Sequence, residues 1–532
     1  MPSNDTTLRQ RISQRTGVKV AIIGIGYVGL PLAVELAKAG FSVVGVDINP
    51  EIIAQLRAGN STVEGLSERD IKKVVESEAL TLLLVDGVTP AQTDPDKLKA
   101  MVGTDVFVVC VPTPLHSMRG WEPDTKWIYE AAKLTFKVAQ IEAQTNNLID
   151  ERLVVLESTT YPGTTRELFN PGIELYEAQG KRCYLAYSPE RTSPGTSAPD
   201  VTVDASNQER PTFEITRIVG GIDESSRDVA VALYNTVFAD VHPVESLEAA
   251  EMIKLIENTF RFISIGFANE MARIARAFGL NIWEIIEAAK TKKFGLDLCF
   301  PGLIGGHCIP IDAHYLNWKV RHRRQVATFV DVAESAHQYI KRDALDLIHR
   351  LLRQRDRGLP KTPVLFCGVA YKKNVGDIRE SGALELMKKL YIYGAEVYFW
   401  DPVRDMHAVK QQLRLVLSDD ESSLLPPAVL ARLARTSEGK YYTEPTELFG
   451  TWEELSARVL GPKFGCVIIA TDHKDFEDIY ADLLLIDGGP AIADLRNALP
   501  LWLRDLKVSE DEKKRMRERL RDRSKYMLLG VH

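Results

Sequence analysis

The stretch FPGLIGGHCIPIDAHYL, residues 300–316, gathers three glycines, a thiol, a carboxylate and two histidines. A thiolate is a nucleophile toward carbonyl carbon, and the thioester it forms can be cleaved by water. Cys308 is therefore one centre of potential chemistry. A second lies near the N-terminus. Gly24, Gly26 and Gly29 form GxGxxG directly after the apolar run KVAII, and Asp47 stands 21 residues beyond Gly26 at the end of the next apolar run. In such a motif the first glycine turns the chain tightly and the second lets a pyrophosphate approach. The third lets helix pack on strand, and the helix N-terminus faces the phosphates. Asp47 would accept hydrogen bonds from ribose hydroxyls and repel a 2′-phosphate, which favours NAD over NADP. A dehydrogenase that also carries a reactive cysteine can take an alcohol through aldehyde and thioester to an acid. An ordinary alcohol dehydrogenase needs no such thiol.

The elements that must position these groups follow a βαβ order. KVAIIGIGYVGLPLAVELAKAG reads as strand, glycine turn and helix, and FSVVGVDINPEII as the next strand. DVFVVCVPTP, RLVVLESTTYPG and KRCYLAYSPERTSPG read as later strands with loops. Strands alternating with helices predict a mostly parallel sheet. From Leu247 a long proline-free helical pattern begins, with Met252, Leu255, Ile256, Thr259, Phe262, Ile263 and Phe267 among its helix-spaced positions. It is a candidate spine between domains and a possible dimer surface. The run RQRDRGLPKTP reads as a linker, after which VLFCGVAYKKNVGDIRESGALELMKKLYIYGAEVYFWDP repeats strand, loop, helix and strand without GxGxxG. The expected fold is α/β: two Rossmann-like doubly wound domains joined by a long central helix. The expected division has five parts. Residues 1–17 form a polar N-terminal extension, 18–244 an NAD-binding Rossmann domain, and 245–352 a central helical and dimerisation domain with the catalytic loop. Residues 353–505 form a second Rossmann-like domain with an insertion at 403–460, and 506–532 a charged C-terminal tail.

Composition narrows the function classes. The 532 residues are 45% hydrophobic and 26% charged, ordinary for globular domains, with a formal net charge of −7. An acidic balance argues against a nucleic-acid partner, though a pocket can still be locally basic. The polar N-terminus is not a signal peptide, and no apolar run is long enough for a membrane span, so a cytoplasmic protein without a membrane partner is expected. The six cysteines include no CxxC pair, and Cys110, Cys367 and Cys466 sit in apolar strand-like runs where a small buried hydrophobe is expected. His307, Cys308 and His314 invite a metal reading. However, His307 and Cys308 are adjacent and no CxxC or HxxxH partner accompanies them, so no metal is expected. A tight glycine loop with an incidental cysteine is the remaining alternative.

Seven motifs in order carry a resemblance: GIGYVGLPLA, VPTP, ESTTYPGTT, YSPERTSPG, EAAEMIKLIENTFR, GGHCIPID and GVAYKKNVGDIRES, spanning roughly residues 18–402, with weaker similarity in ATDHKDF and ADLRN. The chain resembles the UDP-glucose/GDP-mannose dehydrogenase family of nucleotide-sugar 6-dehydrogenases. ESTTYPGTT, YSPER and GGHCIP look more like the branch acting on UDP-N-acetylhexosamines. The resemblance implies oxidation of a UDP-hexose at C6 with NAD, UDP-N-acetylglucosamine first. UDP-glucose, UDP-N-acetylgalactosamine and UDP-N-acetylmannosamine are the alternatives. A two-electron dehydrogenase of the 3-hydroxyacid type is the rival class; it predicts neither an essential thiol nor a second nucleotide-like domain.

The resemblance also assigns roles. Cys308 matches the thioester-forming nucleophile, and Asp312 the carboxylate that positions or activates water. Lys254 and Asn258, one helical turn apart, match the pair that stabilises a developing oxyanion. Glu190 matches a glutamate of the general-base or hydrolysis step, and Thr159 a threonine near the same water. Cofactor contacts fall on Gly24, Gly26, Tyr27, Val28, Gly29, Asp47 and Thr113. Tyr371 and Lys372 match positions near uridine and phosphate, and Arg496 matches an arginine on the phosphates. Gly305 and Gly306 would let the loop backbone approach the nucleotide sugar, and Lys292 and Lys293 would either add a cation or form a solvated pair. A homodimer or higher homo-oligomer is likewise implied. The loop departs from the family's PGPGxGGHC by being one residue shorter, Ala313 stands where proline is usual, and segment 403–460 is larger than is typical.

Overall fold

The computed structural model describes residues 7–63, 66–85, 93–116, 121–191, 215–292, 294, 298–306, 308–374, 376–401, 464–476, 480, 482–484, 489–505, 509–522 and 525–529, with short strands at 201–203, 209–211, 415–416, 434–435, 441–443 and 446–447. Most of the expected insertion, together with His307 and Lys293, lies outside the described residues. The chain forms two compact units, residues 1–258 with 311–327, and residues 259–310 with 328–532. The stretch 245–352, expected as one central domain, is shared between them.

In the first unit, apolar runs become strands because both faces of the sheet are covered. The strands are β1 (Lys19–Ile23), β2 (Ser42–Asp47), β3 (Leu80–Leu84), β4 (Val106–Val109), β5 (Glu151–Leu156), β6 (Arg182–Tyr187), β7 (Arg217–Gly221) and β8 (Val241–Val244). Their order is β8-β7-β6-β5-β4-β1-β2-β3. Val20, Ile22, Val108 and Val155 face one core, and Ala21, Ile23, Phe107 and Val154 face the other. Every pairing is parallel except β7 with β6. The crevice where the order reverses, between β1 and β4, is where such sheets bind ligands.

Helix α1 (Leu8–Gln14) is closed by a capping box from Thr7 and buries Leu8 and Ile12. Arg11 reaches Asp105 at 2.6 Å. The expected polar extension is thus docked on the domain. Helices α2 (Gly29–Lys38), α3 (Lys126–Gln144), α4 (Thr164–Glu177) and α5 (Glu224–Tyr234) cover the sheet. Inside it, Glu142 of α3 and Arg152 of β5 form a fully buried pair at 2.7 Å.

Two further helices carry candidate residues, α6 (Leu247–Ala277) and α7 (Ile309–His322). Glu251 of α6 accepts from the Gly163 N–H at 2.6 Å, the Thr165 N–H at 2.9 Å and the Thr165 hydroxyl at 2.6 Å. It thereby caps the start of α4 with a carboxylate. Burial outweighs these bonds and pushes the Glu251 carboxyl up to about 7.

The second unit is built on a six-stranded parallel sheet. Helix α8 (Thr328–Arg353) leads into β9 (Pro363–Cys367), α9 (Gly382–Ile392), β10 (Glu396–Trp400), β11 (Thr446–Glu447), β12 (Cys466–Ile469) and β13 (Ala491–Asp494). Residues 506–532, expected as a charged tail, supply helix α10 (Glu510–Arg521) and then β14 (Tyr526–Leu528), which pairs with β13. The boundary at 505 is therefore too early. Residues 526–528 join the sheet because Tyr526 and Leu528 bury apolar surface and the Tyr526 hydroxyl donates to buried Asp494 at 3.1 Å. Within the insertion, β11 likewise joins this sheet beside β10. No helix among the described residues is long and apolar enough to cross a membrane.

Two stability outcomes follow. Glu142→Ala leaves Arg152 buried without its partner and is expected to cost about 3–5 kcal/mol, read by denaturant unfolding. Glu251 holds its proton more tightly folded than unfolded, so its contribution is fully present below about pH 4.5 and is lost as pH rises toward 7. Glu251→Gln should remove up to ~3 kcal/mol of that pH-dependent loss. An unchanged stability difference between pH 5 and pH 8 would contradict this.

Candidate active site

The carboxyl ends of the first sheet bring the predicted nucleotide residues together. Gly24 follows β1 with φ +91°, and a Cβ there would lie 2.5 Å from the Cys110 carbonyl oxygen. A Cβ on Gly29 would lie 1.9 Å from the Gly24 carbonyl oxygen, so helix and turn touch backbone to backbone. A Cβ on Gly26 would meet nothing within 4 Å. That open flank, together with an α2 start that no side chain caps, fits a bound pyrophosphate. Asp47 ends β2, and its two carboxylate oxygens accept from the Ile25 N–H at 3.1 Å and the Asn49 N–H at 2.9 Å. These bonds fix the carboxylate beside the glycine turn, and lone pairs remain for ribose hydroxyls. Tyr27 is 45% exposed at the rim, and Val28 begins α2. Thr113 is buried after β4, and its carbonyl accepts from the Tyr315 hydroxyl of α7 at 3.0 Å.

The same unit holds five of the six expected catalytic residues. Lys254 and Asn258 project from one face of α6, and both are buried. The Lys254 ammonium donates to the Glu190 carbonyl at 2.5 Å. The Asn258 amide donates to the Asp312 carboxylate at 2.5 Å. Burial raises the Asp312 carboxyl to about 6, and Lys254 and the Asn258 bond hold it back from rising further. Asp312 is thus poised between acid and base near neutral pH. Its helix is anchored by the Tyr315 bond and by His314, whose ring stacks on Trp121 at 4.5 Å. Thr159 is half-buried just beyond β5.

Sequence reasoning missed what lies behind Glu190. Arg217, only 2% exposed, donates to the Glu190 carboxylate at 2.7 Å and pairs with buried Glu157 at 2.5 Å. Tyr234 also donates to Glu157. Arg217 reaches this edge because β7 runs antiparallel to β6, which brings its first residue to the carboxyl end of its neighbour. The available signal was a charge directly flanking an all-apolar strand, in RLVVLE and in RIVGG.

The second unit holds Cys308, Gly305, Gly306, Tyr371, Lys372 and Arg496. Cys308 is half-buried and directly precedes α7. Asn269 of α6 pins the loop ahead of it, donating to the Gly302 carbonyl at 3.2 Å and accepting from the Gly302 N–H at 2.8 Å. Gly305 and Gly306 are glycine for an internal reason. A Cβ on Gly305 would lie 2.6 Å from the Tyr371 Cβ, and one on Gly306, at φ +90°, 2.9 Å from its ring. The two glycines thus let the loop pack directly on Tyr371. Lys372 is lowered from the usual lysine range by burial and by the cations Arg261 and Lys373. Arg496 follows β13, its Nε 3.3 Å from Asp472. No cluster of three or more His, Cys, Asp or Glu able to hold a metal occurs among the described residues.

Known proteins share this arrangement. Residues 18–238, 248–338 and 365–438 match the NAD binding, central and UDP binding domains of the UDP-glucose/GDP-mannose dehydrogenase family. The UDP-N-acetyl-D-mannosamine dehydrogenase of Methanocaldococcus jannaschii is 32% identical over 386 residues, 72% of this chain and 79% of that protein. The UDP-N-acetyl-D-glucosamine 6-dehydrogenase of Pseudomonas aeruginosa is 30% identical over 392 residues, 72% of this chain and 83% of that protein. Among solved structures, a UDP-glucose dehydrogenase from Pyrobaculum islandicum superposes with a TM-score of 0.69 at 25% identity, covering 91% of this chain and 95% of that one. A glycine turn fitted to a pyrophosphate, three family domains in order and relatives at this identity lead to one conclusion: the chain belongs to the UDP-glucose/GDP-mannose dehydrogenase family and is an NAD-dependent nucleotide-sugar dehydrogenase.

Proposed function

We propose that the protein oxidises the C6 hydroxyl of a UDP-N-acetylhexosamine to the UDP-uronic acid in a four-electron reaction through Cys308. The observation that carries this reading is the buried pairing of Asn258 with Asp312 beside Lys254, four residues along the chain from a cysteine that opens a helix. NAD, held at Gly24, Gly26, Gly29 and Asp47, accepts a hydride from C6 at each of the two oxidation stages.

The chain's own residues supply the rest. Lys254 and Asn258 donate to the C6 oxygen as negative charge develops on it. The Cys308 sulfur adds to the aldehyde carbon and, after the second oxidation, holds it as a thioester. Glu190 takes the proton of the attacking water, which Asp312 helps to position, the C–S bond breaks, and the thiolate recovers a proton. Lys372 and Arg496 supply positive charge for the UDP phosphates, and Tyr371 stands beside the uridine. The motifs ESTTYPGTT, YSPER and GGHCIP favour a UDP-N-acetylhexosamine, and UDP-N-acetylglucosamine is the first reading. UDP-N-acetyl-D-mannosamine is the second reading, favoured by the names that recur among the relatives. Self-association belongs to the same proposal, since Phe260, Phe267 and Phe278 of the α6 region and Phe329 of α8 are exposed apolar side chains.

Purified protein with NAD, offered the gluco, manno and galacto UDP-N-acetylhexosamines and UDP-glucose, should release two NADH per sugar consumed on an N-acetyl substrate. Cys308→Ala should abolish acid formation. One NADH per sugar, or a fully active Cys308→Ala variant, would return the protein to the two-electron class.

A further inference from the structure

We propose that Arg217 is the positioning residue that fixes the Glu190 carboxylate for thioester hydrolysis, with Glu157 as its buried counter-charge. The proposal rests on the reading of Glu190 as a base in that step.

Glu190 is held at both ends. Its carbonyl accepts from Lys254 at 2.5 Å, and its carboxylate accepts from Arg217 at 2.7 Å. Arg217 is itself immobilised. Its Nε donates to the Ser188 hydroxyl at 2.8 Å, and that hydroxyl donates to the Ile218 carbonyl at 2.8 Å. Its guanidinium lies over the rings of Tyr234 at 4.9 Å and Phe238 at 5.0 Å. A planar five-donor fork can meet Ser188, Glu157 and Glu190 together, whereas a lysine ammonium is a point charge and cannot.

Two carboxylates share this one cation, and that division has a chemical use. An undivided guanidinium would hold Glu190 firmly ionised and make it a poor proton acceptor. Glu157, fully buried and paired at 2.5 Å, draws part of that charge away. The other groups facing the pair are Cys110, whose sulfur lies 3.8 Å from Glu157, then Tyr234, the buried Tyr187, Lys254, and the neighbouring Arg191–Glu257 ion pair. In the step itself, water attacks the thioester carbon, Glu190 takes one proton from the water, the C–S bond breaks and the Cys308 thiolate leaves.

The test is rapid-quench turnover with intact-mass detection of an acyl group on Cys308, comparing wild type with Glu190→Gln, Arg217→Lys and Glu157→Gln. Arg217→Lys should keep its first-turnover NADH burst while steady turnover falls roughly 100-fold and acyl-enzyme accumulates. The double variant Glu190→Gln/Arg217→Lys should be no slower than Glu190→Gln alone. Glu157→Gln preserves shape should Arg217→Lys fail to fold, and it should move the acid limb of hydrolysis to lower pH. Burst and steady rates falling together, multiplicative losses in the double variant, or an unmoved limb in Glu157→Gln would overturn the proposal. A Glu190→Gln enzyme that accumulates no acyl group would instead overturn the underlying reading of Glu190, and Arg217's role with it.

Discussion

The first unit depends on keeping three polar side chains of one helix face paired inside a buried interface. Glu251, Lys254 and Asn258 fall at i, i+3 and i+7 on α6, and all three are buried. A buried charge or amide without a partner costs more than its bond contributes. Each residue therefore dictates its neighbour. Glu251 takes the first turn of α4, Lys254 takes the Glu190 carbonyl, and Asn258 takes Asp312. One helix face thereby registers three separate segments of the chain, and this is the precision a site needs if its reacting atoms are to meet.

Burial also sets the electrostatics. Asp312 and Glu251 both rise because the low-polarity interior penalises their charged forms. They differ in what answers that penalty. Glu251 has backbone and hydroxyl donors only, and it serves as a cap. Asp312 has an amide and a nearby ammonium, and it comes to rest at about 6, where a carboxyl can exchange a proton under ordinary conditions. Two carboxylates within one unit are thus given different work by their surroundings.

What could be read from the sequence was whatever is local. The glycine turn, the spacing to Asp47, the strand-and-helix alternation and the Lys254–Asn258 turn each occupy a few dozen consecutive residues, and each reappears in the structure. What could not be read is assembled over distance. Glu157, Glu190, Arg217 and Tyr234 meet only because β7 reverses direction beside β6. The strand Tyr526–Leu528 is too short to show a period, and its place is fixed by pairing with β13 and by the bond to Asp494. Leu8 and Ile12 are two apolar residues in a polar segment, and only their docking makes them core. The packing of Gly305 and Gly306 on Tyr371 has the same origin, since that ring lies far along the chain.

The two Rossmann-like halves show how one device can serve two ends. In each, a glycine closes the first strand and an aspartate closes the second: Gly24 with Asp47, and Gly368 with Asp401. In each, a carboxylate oxygen accepts the N–H of the residue after that glycine, at 3.1 Å for Ile25 and 2.8 Å for Val369. A Cβ on either glycine would collide at 2.5 Å with the chain leaving the neighbouring strand, at Cys110 or at Thr471. The difference lies in what the aspartate can still reach. Asp47 remains half-exposed beside an open Gly26, so a ribose can reach it. The Asp401 side chain is only 3% exposed, with His473 at 3.4 Å, so the same carboxylate position is closed off by packing in one half and left open in the other.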